Sequence, residues 1–157
     1  ATLRDARTAL KRAEALGDNF AVAAASWACG TILLRFDRRS AQTAVEYLER
    51  ARNIIVKHRI LAVALAPIEA DLAVESARAG AWDAAIETLR SLIHRQLTQS
   101  DSTFITVSTT AFVQLLTDRG RSEDIAEAIY FFASDMSAKS TGNIINVDAG
   151  NAQSFTR

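Results

Sequence analysis

Apolar residues recur every three or four positions along most of the chain, which is the spacing of one face of an α-helix. In the first segment this face carries Leu3, Ala6, Leu10 and Ala13. The chain contains one proline and six glycines, so few residues interrupt such segments. The pattern predicts helices over about 2–16, 19–36, 41–57, 61–79, 82–98, 103–119 and 123–135.

Three local features bear on where these helices begin and on how well the sequence supports them. Ser40 is a residue type that caps helix N-termini, so we expect it to cap the third helix. Pro67 either opens the main part of the fourth helix or kinks it. The sixth helix is rich in β-branched residues, which favour strands, but its neighbours are helical and no partner strand lies nearby.

A short alanine–leucine motif recurs along the chain. It appears as Ala6 with Leu10, Ala44 with Leu48 and Ala85 with Leu89, and Ala126 with Tyr130 continues the series. A period near 40 residues with two helices per unit indicates a stack of helical hairpins. The alanine lets the first helix of each hairpin approach its neighbour, and the leucine fills the space between hairpins.

The last part of the chain loses this periodicity. Residues 143–148 read as a short strand flanked by Gly142 and Gly150. We therefore predict an all-α fold with an irregular or short-strand tail, divided into a helical-repeat domain over 1–135 and a tail over 136–157. An unpaired strand edge can pair with a second copy, so the tail is a candidate homodimer contact and is expected to be less ordered than the body.

Charge and composition narrow the function classes. The 157 residues carry 18 basic and 18 acidic side chains, a balance that argues against a nucleic-acid or anionic-membrane binder. A single cysteine, Cys29, excludes an internal disulfide and fits a reducing, cytoplasmic setting. We expect no membrane-spanning helix, because no apolar run is expected to reach the length of about 18 residues that such a helix needs.

The body resembles a known family. Residues about 10–128 resemble the helical-repeat region of large actinobacterial regulators that also carry a class III adenylate cyclase domain and a nucleoside-triphosphatase domain. The resemblance is carried by residues 19–23, 30–34, 51–52, 77–86, 115–120 and 125–128. It implies a tetratricopeptide-like scaffold that senses or binds something and relays it to catalytic domains that are not in this chain.

The end of the chain resembles a different family. Residues 123–150 resemble the C-terminal end of a short-chain dehydrogenase, of the rhamnulose-phosphate aldolase/dehydrogenase type, through 123–129, 131–135 and 141–150. The sequence lacks that family's glycine loop for a dinucleotide, and neither Tyr47 nor Tyr130 has a lysine four residues later. We therefore expect no cofactor and no dehydrogenase activity from this chain.

The two resemblances meet at residues 123–128, which suit both families. Our hypothesis is a mosaic of a helical-repeat body and a dehydrogenase-like tail, whether natural, engineered or computed. A single unbroken family spanning residues 120–150 would contradict it.

Chemistry-bearing residues are few and scattered. His58 and His94 stand apart from each other and from Cys29, so no metal-ligand spacing appears. His58 fits a favourable charge at a helix C-terminus, and Cys29 fits a small buried hydrophobe. We predict no catalytic, cofactor-binding or metal-binding residue, and hence no enzyme.

The candidate partner-binding residues are Trp82, Arg35, Arg38 and Arg39. Trp82 could anchor a groove, although an aromatic residue at such a position is more often core. The arginines form a polar turn with Asp37 that could contact an acidic partner. We expect a non-catalytic scaffold or sensor for a protein partner or neighbouring domain. The alternative is a remnant or fusion of an NAD(P)-dependent short-chain dehydrogenase, inactive without its Rossmann core.

Overall fold

The computed structural model describes residues 2–98, residues 104–120 and Tyr130. Within these residues the chain forms six α-helices and no strand, which confirms the all-α prediction for this part. The helices are α1 (Leu3–Leu16), α2 (Asn19–Phe36), α3 (Ala41–His58), α4 (Leu65–Arg78), α5 (Trp82–Thr98) and α6 (Ile105–Asp118). Short 3₁₀ turns over Arg38–Ser40 and Ala62–Ala64 precede α3 and α4.

Local chemistry sets the boundary between the first two helices. Gly17 ends α1 in the left-handed conformation, with φ of 67°, which costs glycine little. The Asp18 carboxylate then accepts a hydrogen bond from the Ala21 amide at 3.1 Å and caps α2. The result is a tight turn between two antiparallel helices.

The start of α3 differs from the prediction. Ser40 stands at the N-cap position, but its hydroxyl donates to the Asp37 carboxylate at 2.7 Å and makes no capping bond to α3. The cause is the 3₁₀ turn that leads into α3 and holds the serine against Asp37. Pro67 is the third residue of α4, where its missing amide hydrogen costs little, so it opens the helix.

The core extends along the chain as three connected clusters. One joins α1 to α2 around Leu10 and Val22, a second joins α2, α3 and α4 around Leu48 and Ile68, and a third joins α4, α5 and α6 around Leu89. Each helix packs against the next one in sequence, and α4 also packs against α6. This serial packing places α4 at the centre of the second half of the molecule.

The repeated alanine–leucine motif lies in these clusters. Both residues of all three pairs in α1, α3 and α5 are buried, and Ala44, Leu48 and Leu89 are fully so. Their burial agrees with the packing role inferred from the sequence.

The helix α2 bears on the expectation that the chain has no membrane-spanning helix. Among the described residues, α2 is long and apolar enough to cross a membrane by length and composition alone, so the sequence does contain an apolar run of 18 residues. Seven of its residues are buried, and it packs against α1 and α3. A core helix meets the same length and composition test, so the helix is weak evidence for a membrane.

The threonine-rich segment forms α6 despite its strand-favouring composition. Five large apolar residues are buried along it, and their packing outweighs the local preference. The buried hydroxyls of Ser108 and Thr109 have no hydrogen-bond partner among the described residues. An unsatisfied buried hydroxyl costs about 1–3 kcal/mol, so α6 carries a local penalty at these positions.

Replacing Thr109 by valine should raise the free energy of unfolding by about 1 kcal/mol, because the change removes an unpaired hydroxyl and keeps the branched shape. Thr110→Val is the matched control, since Thr110 is exposed on the same helix and should shift stability by less than about 0.5 kcal/mol. Urea denaturation followed by circular dichroism measures both. A loss of stability in Thr109→Val would show that the hydroxyl is satisfied in the folded protein.

Several predictions concern the end of the chain. Tyr130 is helical, as the predicted helix over 123–135 requires, but its side chain is exposed, whereas the alanine–leucine series placed it between hairpins. The rest of that helix, the domain boundary at residue 135, the strand over 143–148 and the tail-mediated dimer lie outside the described residues.

Candidate functional site

A groove runs over one face of each of the three central helices. It encloses about 860 Å³ and is open to solvent. Its walls come from α3 and α5, and α4 contributes the residues between them. The lining residues are Gln42, Val45, Glu49, Arg52, Glu69, Leu72, Ala73, Glu75, Ser76, Ala79, Ala84, Glu87, Thr88, Ser91 and Arg95.

Small side chains create the groove. Ala73 and Ser76 on α4 line the groove together with Ala84 and Ser91 on α5, and these two helices pack against each other, so their small side chains leave space above the line of contact. The lining residues of α3 are three or four positions apart, and those of α4 and α5 recur at the same spacing singly or as adjacent pairs, which places them on one side of each helix.

More glutamates than arginines line the groove, although Glu75 and Glu87 pair with Arg78 and Arg90 outside the lining. Four glutamates and two arginines line it. Glu69 of α4 forms an ion pair with Arg95 of α5, which links these two helices across the groove. Glu49 on α3 is exposed and makes no ion pair or hydrogen bond with the described residues, so its charge is available to a ligand.

A second, smaller cavity lies on a neighbouring face of α4. It encloses about 350 Å³ between the end of α2, the 3₁₀ turn and α4. Three arginines converge on it: Arg35 from α2, Arg38 from the turn and Arg78 from α4. Leu34 and Val74 supply its apolar wall. We call this the arginine cavity.

Two carboxyl groups share the arginine cavity. Glu75 is nearly buried and forms an ion pair with Arg78 on the next turn of α4. Asp71 is half-buried and makes no hydrogen bond or ion pair with the described residues. Burial, opposed by the nearby Arg35 guanidinium, raises the pKa of Asp71 to about 6.

The structure separates the four predicted partner-binding residues. Arg35 and Arg38 line the arginine cavity, whereas Arg39 is exposed on the 3₁₀ turn and does not line it. Trp82 begins α5 and packs, half-buried, on the core cluster of α4, α5 and α6. It lines neither the groove nor the arginine cavity, so its position favours the core interpretation.

The other candidate side chains lie apart. Cys29 is buried in α2, and burial raises the pKa of its thiol, which disfavours a reactive thiolate. His58 is exposed in the last turn of α3, and His94 is exposed on α5. Within the described residues, no three histidine, cysteine, aspartate or glutamate side chains group as metal ligands would.

Sequence analysis missed Asp71, Glu75 and Arg78 as site residues. A signal for Asp71 exists, because it stands three residues after Ile68 and three before Val74, which are apolar residues on the same side of the helix. A carboxyl group in that position must be buried, paired or functional. Its arginine neighbours on α2 could not be read from the α4 sequence.

Comparison with known proteins adds no relative. No family model, curated protein or solved structure matches the chain. The groove and the arginine cavity therefore carry the functional argument by themselves.

Proposed function

We propose that this chain is a non-catalytic helical scaffold whose groove over α3, α4 and α5 holds a segment of a protein partner. The observation that carries the proposal is the groove itself, an open channel of about 860 Å³ built by small residues on three packed helices. Stacked helical hairpins bind extended or helical segments on surfaces of this kind. The tetratricopeptide-like arrangement and the origin in a cyclase-linked regulator belong to the same proposal.

Its electrostatics favour a basic partner segment. The lining has four glutamates against two arginines. Glu69, Glu75 and Glu87 are in ion pairs with Arg95, Arg78 and Arg90, whereas the exposed Glu49 forms no ion pair among the described residues. A lysine or arginine side chain on the partner complements Glu49 and sets the orientation of the segment in the groove. The affinity should fall as salt screens these charges.

The test selects short peptides on the purified chain from a random displayed library and compares two tryptophan variants. Ser91→Trp fills the groove from an exposed position on α5. We expect selected peptides to be rich in lysine and arginine, and to bind Ser91→Trp about tenfold more weakly because the side chain occupies their site. Fluorescence anisotropy with labelled peptides measures the affinity.

His94→Trp is the matched control, because His94 is exposed three residues further along α5 and does not line the groove. It should keep the affinity within about twofold of the parent chain. Peptides that bind both variants as tightly as the parent would place their site elsewhere and refute the groove proposal. So would a selection that yields no specific peptide.

The dehydrogenase alternative is tested in the same preparation. A scaffold should show no saturable binding of NAD, since the chain lacks the glycine loop that holds a pyrophosphate. Micromolar NAD binding by calorimetry would overturn the scaffold proposal and favour the oxidoreductase-derived alternative. A cytoplasmic setting is part of the scaffold proposal and follows from the single cysteine of the chain.

A further inference from the structure

The arginine cavity collects positive charge that the protein does not neutralise. Glu75 is paired with Arg78, which leaves the guanidinium groups of Arg35 and Arg38 without an ion pair among the described residues. Three arginines and two carboxylates leave a net positive charge even when Asp71 is ionised. Arginine side chains from three separate structural elements thus line one solvent-open cavity.

We propose that the arginine cavity is a binding site for a doubly charged oxyanion of the phosphate or sulfate class, held by Arg35 and Arg38. Guanidinium groups bind such anions through paired, parallel N–H···O hydrogen bonds. The volume of about 350 Å³ accommodates the anion together with part of the molecule that carries it. This inference does not rest on the groove, because the anion is held by residues that do not line the groove.

Asp71 couples this site to protons. The charged groups that share the cavity with it are Arg35 on α2, Arg38 on the turn, and Glu75 and Arg78 on α4. An ionised Asp71 repels a bound anion, whereas a protonated one removes that repulsion and can donate a hydrogen bond. Since the pKa of Asp71 is raised to about 6, anion binding should strengthen as the pH falls from neutral to mildly acidic.

The test is an NMR titration of the ¹⁵N-labelled chain with sodium sulfate, at constant ionic strength maintained with sodium chloride. Sulfate keeps two negative charges between about pH 5.0 and pH 7.5, so a change in affinity across this range comes from the protein. We expect saturable shifts in the amides at the end of α2 and along α4, with about fivefold tighter binding at the lower pH. Asp71→Asn should bind tightly at both values.

The arginines at the end of α2 and in the turn provide matched variants. Arg35→Gln and Arg38→Gln should each weaken sulfate binding about fivefold, because each removes a guanidinium that lines the cavity. Arg39→Gln removes the same charge from the same turn without touching the cavity and should change the affinity less than about twofold. All three positions are exposed, so the variants should fold.

The source of the anion is resolved by comparing inorganic phosphate with N-acetyl-O-phosphoserine amide at neutral pH. Tighter binding of the phosphoserine derivative assigns the site to a phosphorylated protein side chain, and equal or weaker binding assigns it to a free anion. Two results would overturn the proposal by showing general charge screening. One is an equal loss of sulfate affinity in all three arginine variants. The other is amide chemical shifts that change with chloride as well as with sulfate.

Discussion

Replacing Gly30 by alanine should lower the free energy of unfolding by about 2 kcal/mol, although alanine is the better helix former. A Cβ atom at Gly30 would lie 2.6 Å from Cγ of Leu48 and 3.0 Å from the Ala44 carbonyl oxygen. Leu48 is fully buried and cannot swing away without displacing other core residues. The extra methyl group therefore forces α2 and α3 apart.

The contact predicts a specific coupling between the two residues. Leu48→Ala should cost about 2–5 kcal/mol by itself. Adding Gly30→Ala to that variant should cost clearly less than in the parent, because the clash with Leu48 is gone and only the 3.0 Å approach to the Ala44 carbonyl oxygen remains. Chemical denaturation of the parent, the two single variants and the double variant measures this cycle. Additive losses would show that the alanine at position 30 acts through something other than Leu48.

Ala28→Gly is the control for helix propensity in the same helix. Ala28 is exposed on α2, so the glycine there should cost about 0.5–1 kcal/mol through backbone entropy alone. An increase in stability for Gly30→Ala would contradict the close approach of α2 and α3.

Much of the fold follows from the sequence because helix signals are local. The predicted bounds of the second and fifth helices agree with α2 and α5, since Asp18 and Gly80 stand at their flanks and the apolar spacing continues between them. The fourth helix was predicted from residue 61 but begins at Leu65, because a 3₁₀ turn takes up residues 62–64. Apolar periodicity does not distinguish a 3₁₀ turn from the first turn of an α-helix.

The candidate sites were less predictable because they depend on contacts between helices. Arg35, Arg38 and Arg39 look equivalent in the sequence, yet only the first two line the arginine cavity. The direction of the 3₁₀ turn decides this, and α4 supplies the opposite wall from more than thirty residues away. Trp82 differs from these arginines. The sequence allows it to anchor a ligand, but in the structure it packs on the core.

The glycine and the groove illustrate the same use of small residues. Gly30 removes a side chain and lets α2 and α3 touch, whereas alanine and serine on α4 and α5 leave an open channel above two helices that already touch. Sequence alone reports that the residues are small. Whether the space they leave is filled or open is set by the direction in which each helix packs against its neighbour.

Replacing Asp71 by asparagine should stabilise the protein at neutral pH by about 2 kcal/mol and leave it nearly unchanged near pH 4. The pKa of Asp71 is raised from its ordinary value of 3.8 to about 6, so the folded chain holds this proton more tightly than the unfolded chain. Its favourable contribution is therefore complete below about pH 3.8 and is lost as the pH rises through 6. Asparagine avoids the cost of ionising a half-buried carboxyl group.

Urea denaturation of the parent and Asp71→Asn at several pH values between about 4 and 7.5 measures this difference. The difference between the two stabilities should grow as the pH rises from about 3.8 to 6 and level off above 6, with the variant the more stable. Glu46→Gln is the control, because Glu46 is exposed on α3 and its replacement should shift stability by less than about 0.5 kcal/mol at every pH. A stability difference for Asp71→Asn that does not change with pH would show that Arg35 and its neighbours already compensate the ionised carboxylate. The ionised carboxylate would then already be neutralised within the arginine cavity, and protonation of Asp71 could not control the binding of an anion there.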